Sequence, residues 1–189
     1  MLQQPSDEEL VNRIVGGEQQ LFEELVDRYR GKVASLIYSI INSREELDDV
    51  AQEVFVSVYK SLRSFENRST FSTWIYRITV NKCRDWQRKV YLRRPTELLG
   101  LLGQYRASPT HGGLKVEDRE AVRESVRGLP DKYRTIIVLY YYHDRSCQEI
   151  ADILEMPKKT VETRLMRGRN LIQNMLDGGG EAVCSETMI

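Results

Sequence analysis

The chain has 189 residues, 41% of them hydrophobic, with 28 Lys and Arg balanced by 28 Asp and Glu. That length allows one large or two small domains; with no apolar run long enough to cross a membrane and no signal-peptide start, a cytoplasmic protein without membrane insertion is expected. Cys83, Cys147 and Cys184 are odd in number and far apart, with only His111 and His143 to help, so they suggest neither a disulfide framework nor a zinc site.

The zero net charge conceals a segregation. Residues 6–53 hold 12 acidic and 5 basic side chains, whereas residues 60–94 hold 2 acidic and 10 basic. One face is therefore suited to protein and another to nucleic acid.

Almost every segment reads as helix. Ser6 with Glu9 is a capping box opening a short helix through Leu10 and Ile14, which Gly16-Gly17 ends. Glu18 to about Ile41 carries a broad apolar stripe: Phe22, Leu25, Val26, Tyr29, Val33, Leu36, Ile37 and Ile40. A third helix is expected from Ser43, with Glu46 three residues on, through Leu47, Val50, Val54, Val58 and Leu62. After a polar loop, Thr70 caps a fourth helix running to about Tyr91. These stripes bury one another in an N-terminal bundle spanning residues 1–91.

From Arg93 to about Val116 the periodicity fails. Two prolines and four glycines in RRPTELLGLLGQYRASPTHGGLK mark a flexible linker, residues 92–116, with an LLGLL patch that is unusual for a solvated tether. A second bundle, residues 117–177, follows: a helix to Arg127, a break at Gly128-Leu129-Pro130, a helix from Asp131 to about His143, then two helices joined by a tight turn. Residues 178–189 read as a disordered tail. The fold class is all-α, two small helical bundles.

The closing helix pair is the most specific motif. Ser146 caps the first helix with Glu149 in capping-box spacing, Ile150, Ala151 and Leu154 face inward, and Pro157 forces a new start. In the second helix Val161, Leu165, Gly168, Ile172 and Met175 recur at inward spacing, leaving Lys159, Thr163, Met166, Arg167 and Asn170 outside. Five Lys or Arg between positions 157 and 170 (158, 159, 164, 167 and 169), against the single acid Glu162, suit a major groove and its phosphates.

Two further constellations stand out. Asp48, Asp49, Gln52 and Glu53 share one side of the third helix, as a solvated face or a carboxylate cluster; without a second cluster or a nearby His, a metal is not favoured. The fourth helix and its preceding loop interleave Phe65, Phe71, Trp74, Tyr76 and Trp86 with Arg63, Arg68, Arg77, Lys82, Arg84, Arg88 and Lys89, the stacking and charge that single-stranded DNA requires. Trp74 falls on the inward stripe, and Asn81 with Asp85 is placed to hydrogen-bond an extruded base.

In this order the segments resemble a sigma-70 family RNA polymerase sigma factor of the extracytoplasmic-function (ECF) group. LDDVAQEVFVSVYKSL resembles the family's polymerase-clamp helix, SFENRSTFSTWIYRITVNKCRDWQRK the segment that melts and reads the −10 element, and LPDKYRTIIVLYYYHDRSCQEIADILEMPKKTVETRLMRGRNLI the domain that reads the −35 element. The resemblance implies a non-catalytic promoter-specificity subunit with no cofactor and no metal. Its implied partners are core RNA polymerase (clamp coiled coil and flap), promoter DNA and an anti-sigma factor. Polymerase would be held by Asp48, Asp49, Gln52 and Glu53. The −10 element would be read by Phe65, Arg68, Phe71, Tyr76, Arg77, Asn81, Arg84, Asp85 and Arg88. The −35 element would be read by Lys158, Lys159, Glu162, Thr163, Arg164, Met166, Arg167 and Arg169. Glu162 departs from the family, where a basic or small polar residue is frequent. The rival reading is a two-domain helix-turn-helix regulator with a helical dimerisation domain, which would not need the basic, aromatic fourth helix; a nuclease would need paired metal-binding carboxylates.

Overall fold

The computed structural model describes residues 4–93 and 116–177. The expected linker core with its LLGLL patch and the Gly-rich tail lie outside the described residues. Among the described residues all regular structure is helical, as expected: α1 (Asp7–Val15), α2 (Phe22–Ile41), α3 (Leu47–Ser61), α4 (Phe71–Arg93), α5 (Val116–Arg127), α6 (Asp131–Tyr141), α7 (Cys147–Leu154) and α8 (Lys158–Leu176), with 3-10 turns at Gln19–Leu21 and Leu62–Ser64.

The first four helices form one bundle around the α2 stripe. Leu25, Val33, Leu36, Ile37 and Ile40 of α2 are buried together with Val50, Val54 and Val58 of α3 and Phe71, Ile75 and Val80 of α4. Each such side chain contributes about 1.5–3 kcal/mol on leaving water. The Ser6–Glu9 capping box is present on α1, and α1 is tied down by polar contacts: Asp7 accepts from Tyr29 and, at 2.9 Å, from Arg28. Glu8 accepts the Phe71 N–H at 3.1 Å, satisfying a free donor at the start of α4. Thr70 caps that helix as anticipated, its Oγ1 accepting the Thr73 N–H at 3.2 Å.

The start of α3 departs from the sequence reading. The helix begins at Leu47, with no side-chain cap. The Glu46 carboxylate that would have completed a box with Ser43 instead accepts the Trp86 indole N–H at 3.0 Å, so a tertiary bond displaces the local one.

In the second half, α6 is apolar almost all round, and it is buried on both sides. Thr135, Ile136, Ile137, Val138 and Leu139 are all inaccessible. One side packs on α8 and the other on α2 of the first bundle. There Arg134 donates to the Ile40 carbonyl at 3.0 Å and Arg127 to the Tyr38 hydroxyl at 3.3 Å. The two bundles therefore share one continuous set of buried side chains.

Gly168 permits the close approach of α8 to α6: a Cβ there would stand 3.0 Å from Ile137 Cγ1. Gly31, also mid-helix, has nothing within 4 Å. Gly168→Val should thus cost about 1–3 kcal/mol through overpacking, whereas Gly31→Ala should gain about 0.5–1 kcal/mol from helix propensity. Urea unfolding of the two variants checks both signs.

Candidate nucleic-acid interface

The helix pair is built as its sequence requires. Ser146 Oγ accepts the Glu149 N–H at 3.2 Å while Glu149 accepts the Ser146 N–H at 2.9 Å. Between the helices Glu155 takes the left-handed conformation, φ 53°, and the Met156 N–H returns to the Ala151 carbonyl at 3.1 Å. The turn is thus carried by Glu155, a residue the sequence did not single out, with Pro157 opening α8. Val161, Leu165 and Gly168 are buried on the inner face of α8.

Outside, Lys158, Lys159, Glu162, Met166 and Arg167 are exposed. Lys158 and Glu162 form an exposed pair at 3.9 Å. Thr163 is half-buried and donates to the Lys159 carbonyl at 2.8 Å. Arg164 lies back against Met156 Sδ at 3.9 Å. Arg169, also expected on the DNA face, is exposed but engaged. It turns toward α6, donating to the Tyr141 hydroxyl at 2.8 Å and stacking over the rings of Tyr140 and Tyr141 at 5.4 and 5.5 Å.

Along α4, Arg77, Asn81, Arg84 and Arg88 recur at helical spacing on one stripe. Asn81, Arg84 and Arg88 are exposed, and Asp85 pairs with Arg88. In the loop before α4, Arg68 is exposed and paired with Glu66 at 2.6 Å. The aromatics behave differently from the expectation. Phe71 is 0% exposed, edge-on to Tyr29 and Phe65, and belongs to the core. Phe65 is half-buried against Phe71 and Trp74. Tyr76 is 1% exposed, its hydroxyl 3.2 Å from His143 Nδ1 of the second bundle. Arg77 is held by the α7 end, donating from Nε and Nη2 to the Asp152 carbonyl at 3.1 and 2.7 Å and pairing with Glu155 at 3.4 Å. Amphipathic periodicity found the inward stripe but carried no signal for this second covered edge.

Asp48, Asp49, Gln52 and Glu53 are all exposed on α3, with Glu53 3.7 Å from both Lys82 and Lys89. Beside them Val56 and Tyr59 are each 44% exposed and, with Phe22, Gln52, Phe55 and Lys60, line a shallow apolar groove. The sequence held a signal for this groove: apolar residues at 56 and 59 continue the polar side begun by Gln52. A second apolar groove is lined by Val122, Val126, Tyr141, Tyr142, Ile172 and Leu176, with Arg169 at its edge. No group of His, Cys, Asp or Glu able to hold a metal occurs among the described residues.

Three titrating groups respond to this packing. Burial, then the nearby Arg145 and Lys32, push His143 down to about 4. Burial alone pushes the Cys83 thiol up to about 12. For Glu149 burial works upward, but the Ser146 N–H and hydroxyl and the Arg145 guanidinium prevail and hold the carboxyl below its usual value.

The sequence pattern of sigma-70 region 2 matches residues 25–93, and that of sigma-70 region 4 matches residues 119–172. The chain is 36% identical to the ECF RNA polymerase sigma factor SigW of Bacillus subtilis, over 88% of this chain and 94% of that protein. The chain belongs to the ECF sigma factors. The ECF RNA polymerase sigma-E factor of Escherichia coli K12 is similar at 35% identity, over 92% of this chain and 96% of its own. Among solved structures, CnrH in complex with the cytosolic domain of CnrY matches with a TM-score of 0.67 at 27% identity, over 89% of this chain and 96% of that one. As an ECF sigma factor, the protein directs RNA polymerase to promoters, and its DNA-binding region 4, residues 119–172, contains the helix pair described above.

Loss of the α7 cap in this sigma factor is measurable. Ser146→Ala should lower stability by about 1 kcal/mol at neutral pH. Because the Glu149 carboxyl sits below its ordinary value, the ionic contribution is present above that value and disappears as pH falls through the folded one. The gap between wild type and Ser146→Ala should therefore narrow on acidification, as thermal melts at several pH values would register.

Proposed function

We propose that this ECF sigma factor is a non-catalytic, cytoplasmic subunit with three separable working surfaces and an anti-sigma factor among its partners. The surface for the polymerase clamp is the exposed set Asp48, Asp49, Gln52 and Glu53 with the Val56–Tyr59 groove beside it. Supporting this are the clustering of acid and apolar area on one exposed face, which suits a basic amphipathic partner. The apolar groove at Tyr141 and Tyr142 fits the flap. The −10 strand is read by the Arg77, Asn81, Arg84 and Arg88 stripe of α4, with Asp85, Arg68 and Phe65 at its margins. The −35 duplex is read by Lys158, Lys159, Glu162, Thr163, Arg164, Met166 and Arg167 of α8. The observation that carries the reading is the outward face of α8, cationic and unobstructed beyond an inner face locked by Val161, Leu165 and Gly168. An anti-sigma partner is supported by the likeness to CnrH, whose structure holds the cytosolic domain of CnrY.

Gln52→Ala with Glu53→Lys should abolish co-purification with core polymerase while changing stability by less than roughly 0.5 kcal/mol, since both positions are exposed. Wild-type competition for core enzyme by the double variant would refute the clamp assignment.

Arg167→Ala and Lys159→Ala should each weaken −35 duplex binding by the holoenzyme, by about 1–3 kcal/mol where a bidentate base contact is lost. Asn81→Ala should spare that step and reduce open-complex formation on duplex promoters, with the defect relieved on a template mismatched across the −10 region. Permanganate footprinting on both templates separates the two roles. No loss on either template would remove Asn81 from the site.

A further inference from the structure

The groove beside the acidic side of α3 is a standing apolar surface. Val54 and Val58 anchor the opposite side of α3 in the core, Phe22 packs edge-on against Tyr59 at 5.0 Å, and Phe55, Val56 and Tyr59 help bound about 420 Å³ of open space. Asp48, Asp49 and Glu53 stand exposed beside it. Elsewhere the same chain carries four leucines in five positions, Leu98, Leu99, Leu101 and Leu102, which none of the three working surfaces uses. We propose that this LLGLL segment is a ligand of the α3 groove, docked there within one chain until a competing partner takes its place. That core polymerase is the competitor rests on the assignment of this face to the clamp; the docking itself does not.

Chain length puts the segment within reach. Lys89 of α4 lies 3.7 Å from Glu53 of α3, so the last turn of α4 starts beside the groove. The helix ends at Arg93, about 6 Å further along its axis. From there to Leu98 the chain spans up to about 17 Å when extended, whereas Glu53 to Tyr59 is only about 9 Å of helix. The segment can therefore double back along α3. Beyond Leu102, residues 103–115 reach up to about 45 Å before α5 begins, so docking puts no tension on the second bundle. The leucines also suit a single surface. In an extended segment Leu99 and Leu101 share one face, and in a helical one Leu98, Leu101 and Leu102 do.

Charge and tether length select this groove over the one at Tyr141 and Tyr142. Residues 94–106 hold Arg94 and Arg106 against Glu97 alone, complementary to Asp48, Asp49 and Glu53. The other groove presents the cation Arg169 at its edge, which the same arginines avoid. Only the four residues 94–97 separate Arg93 from Leu98, and effective concentration falls roughly as the −3/2 power of tether length. A short flexible tether gives an effective concentration on the order of mM. That holds a small apolar contact within one chain and still leaves it open to displacement by a tighter binder. Docking takes leucine and groove surface out of water together, which is the driving force.

The test uses the purified full chain carrying the photoreactive substitution Leu99→p-benzoylphenylalanine, with adducts mapped by mass spectrometry. In the free protein they should fall on the groove-lining stretch of α3, residues 52–60, within single chains. Adding Leu98→Ser, Leu101→Ser and Leu102→Ser should cut the yield several-fold, which separates docking of the segment from stickiness of the probe. Arg94→Glu should lower the yield at low salt more than at high salt. Saturating core polymerase should abolish the adduct. Four results overturn the proposal: adducts at the second groove, adducts at no defined place, equal yield from the triple serine variant, or adducts joining labelled to unlabelled chains in an isotopic mixture, which would make a second copy the source. Persistence of the α3 adduct on the core-bound chain is a different failure. It refutes the clamp assignment while the docking stands.

Discussion

The structure depends on one constraint: a single helix, α4, must serve three neighbours at once. Its Phe71, Ile75 and Thr79 side fills the first bundle, its Tyr76, Val80 and Cys83 edge is sealed, and its Arg77, Asn81, Arg84 and Arg88 stripe stays polar. With 3.6 residues per turn, three stripes leave each only about a third of the circumference. This explains why the helix is long, why its ends are fastened by Glu8 and Glu46 from distant segments, and why its aromatics are mostly spoken for by packing.

The helices, their order and both capping boxes were legible from the sequence, because apolar periodicity and Ser-x-x-Glu spacing are local signals. So was the outward face of α8, since Val161, Leu165 and Gly168 define its inner face without reference to the rest of the chain. Tertiary competition was not legible. Glu46 abandons a local cap for Trp86, Arg169 leaves the basic face for a pair of tyrosine rings, and Tyr76 disappears against a histidine 67 residues later. In each case two side chains far apart in sequence satisfy one another, and no window of sequence contains both. The near-continuous apolar run of α6 did hold a hint: a helix without a polar face needs covering on two sides, and a small bundle of its own supplies only one.

Charge is organised by the same logic. The acids gathered in the first 53 residues and the bases in α4 and α8 do not neutralise one another by proximity; most pairs are short-range and exposed, such as Arg13–Glu18 and Arg88–Asp85, and contribute little. The exception in placement is Glu53, which sits between the acidic face of α3 and the cations Lys82 and Lys89 of α4. It joins the exposed acidic face of α3 to the basic edge of α4.

The inner and outer faces of α8 are energetically independent. Gly168 fixes how deeply the helix sits on Ile137, and Val161 and Leu165 fix its rotation, while the outward side chains reach almost nothing but solvent. The exposed side chains Lys159, Glu162, Met166 and Arg167 can therefore be exchanged without disturbing the scaffold that presents them. A helix seated by an absent side chain is a mount on which new sequence preferences can be exchanged, whether by genetic drift among paralogues or by an engineer building regulators that ignore one another.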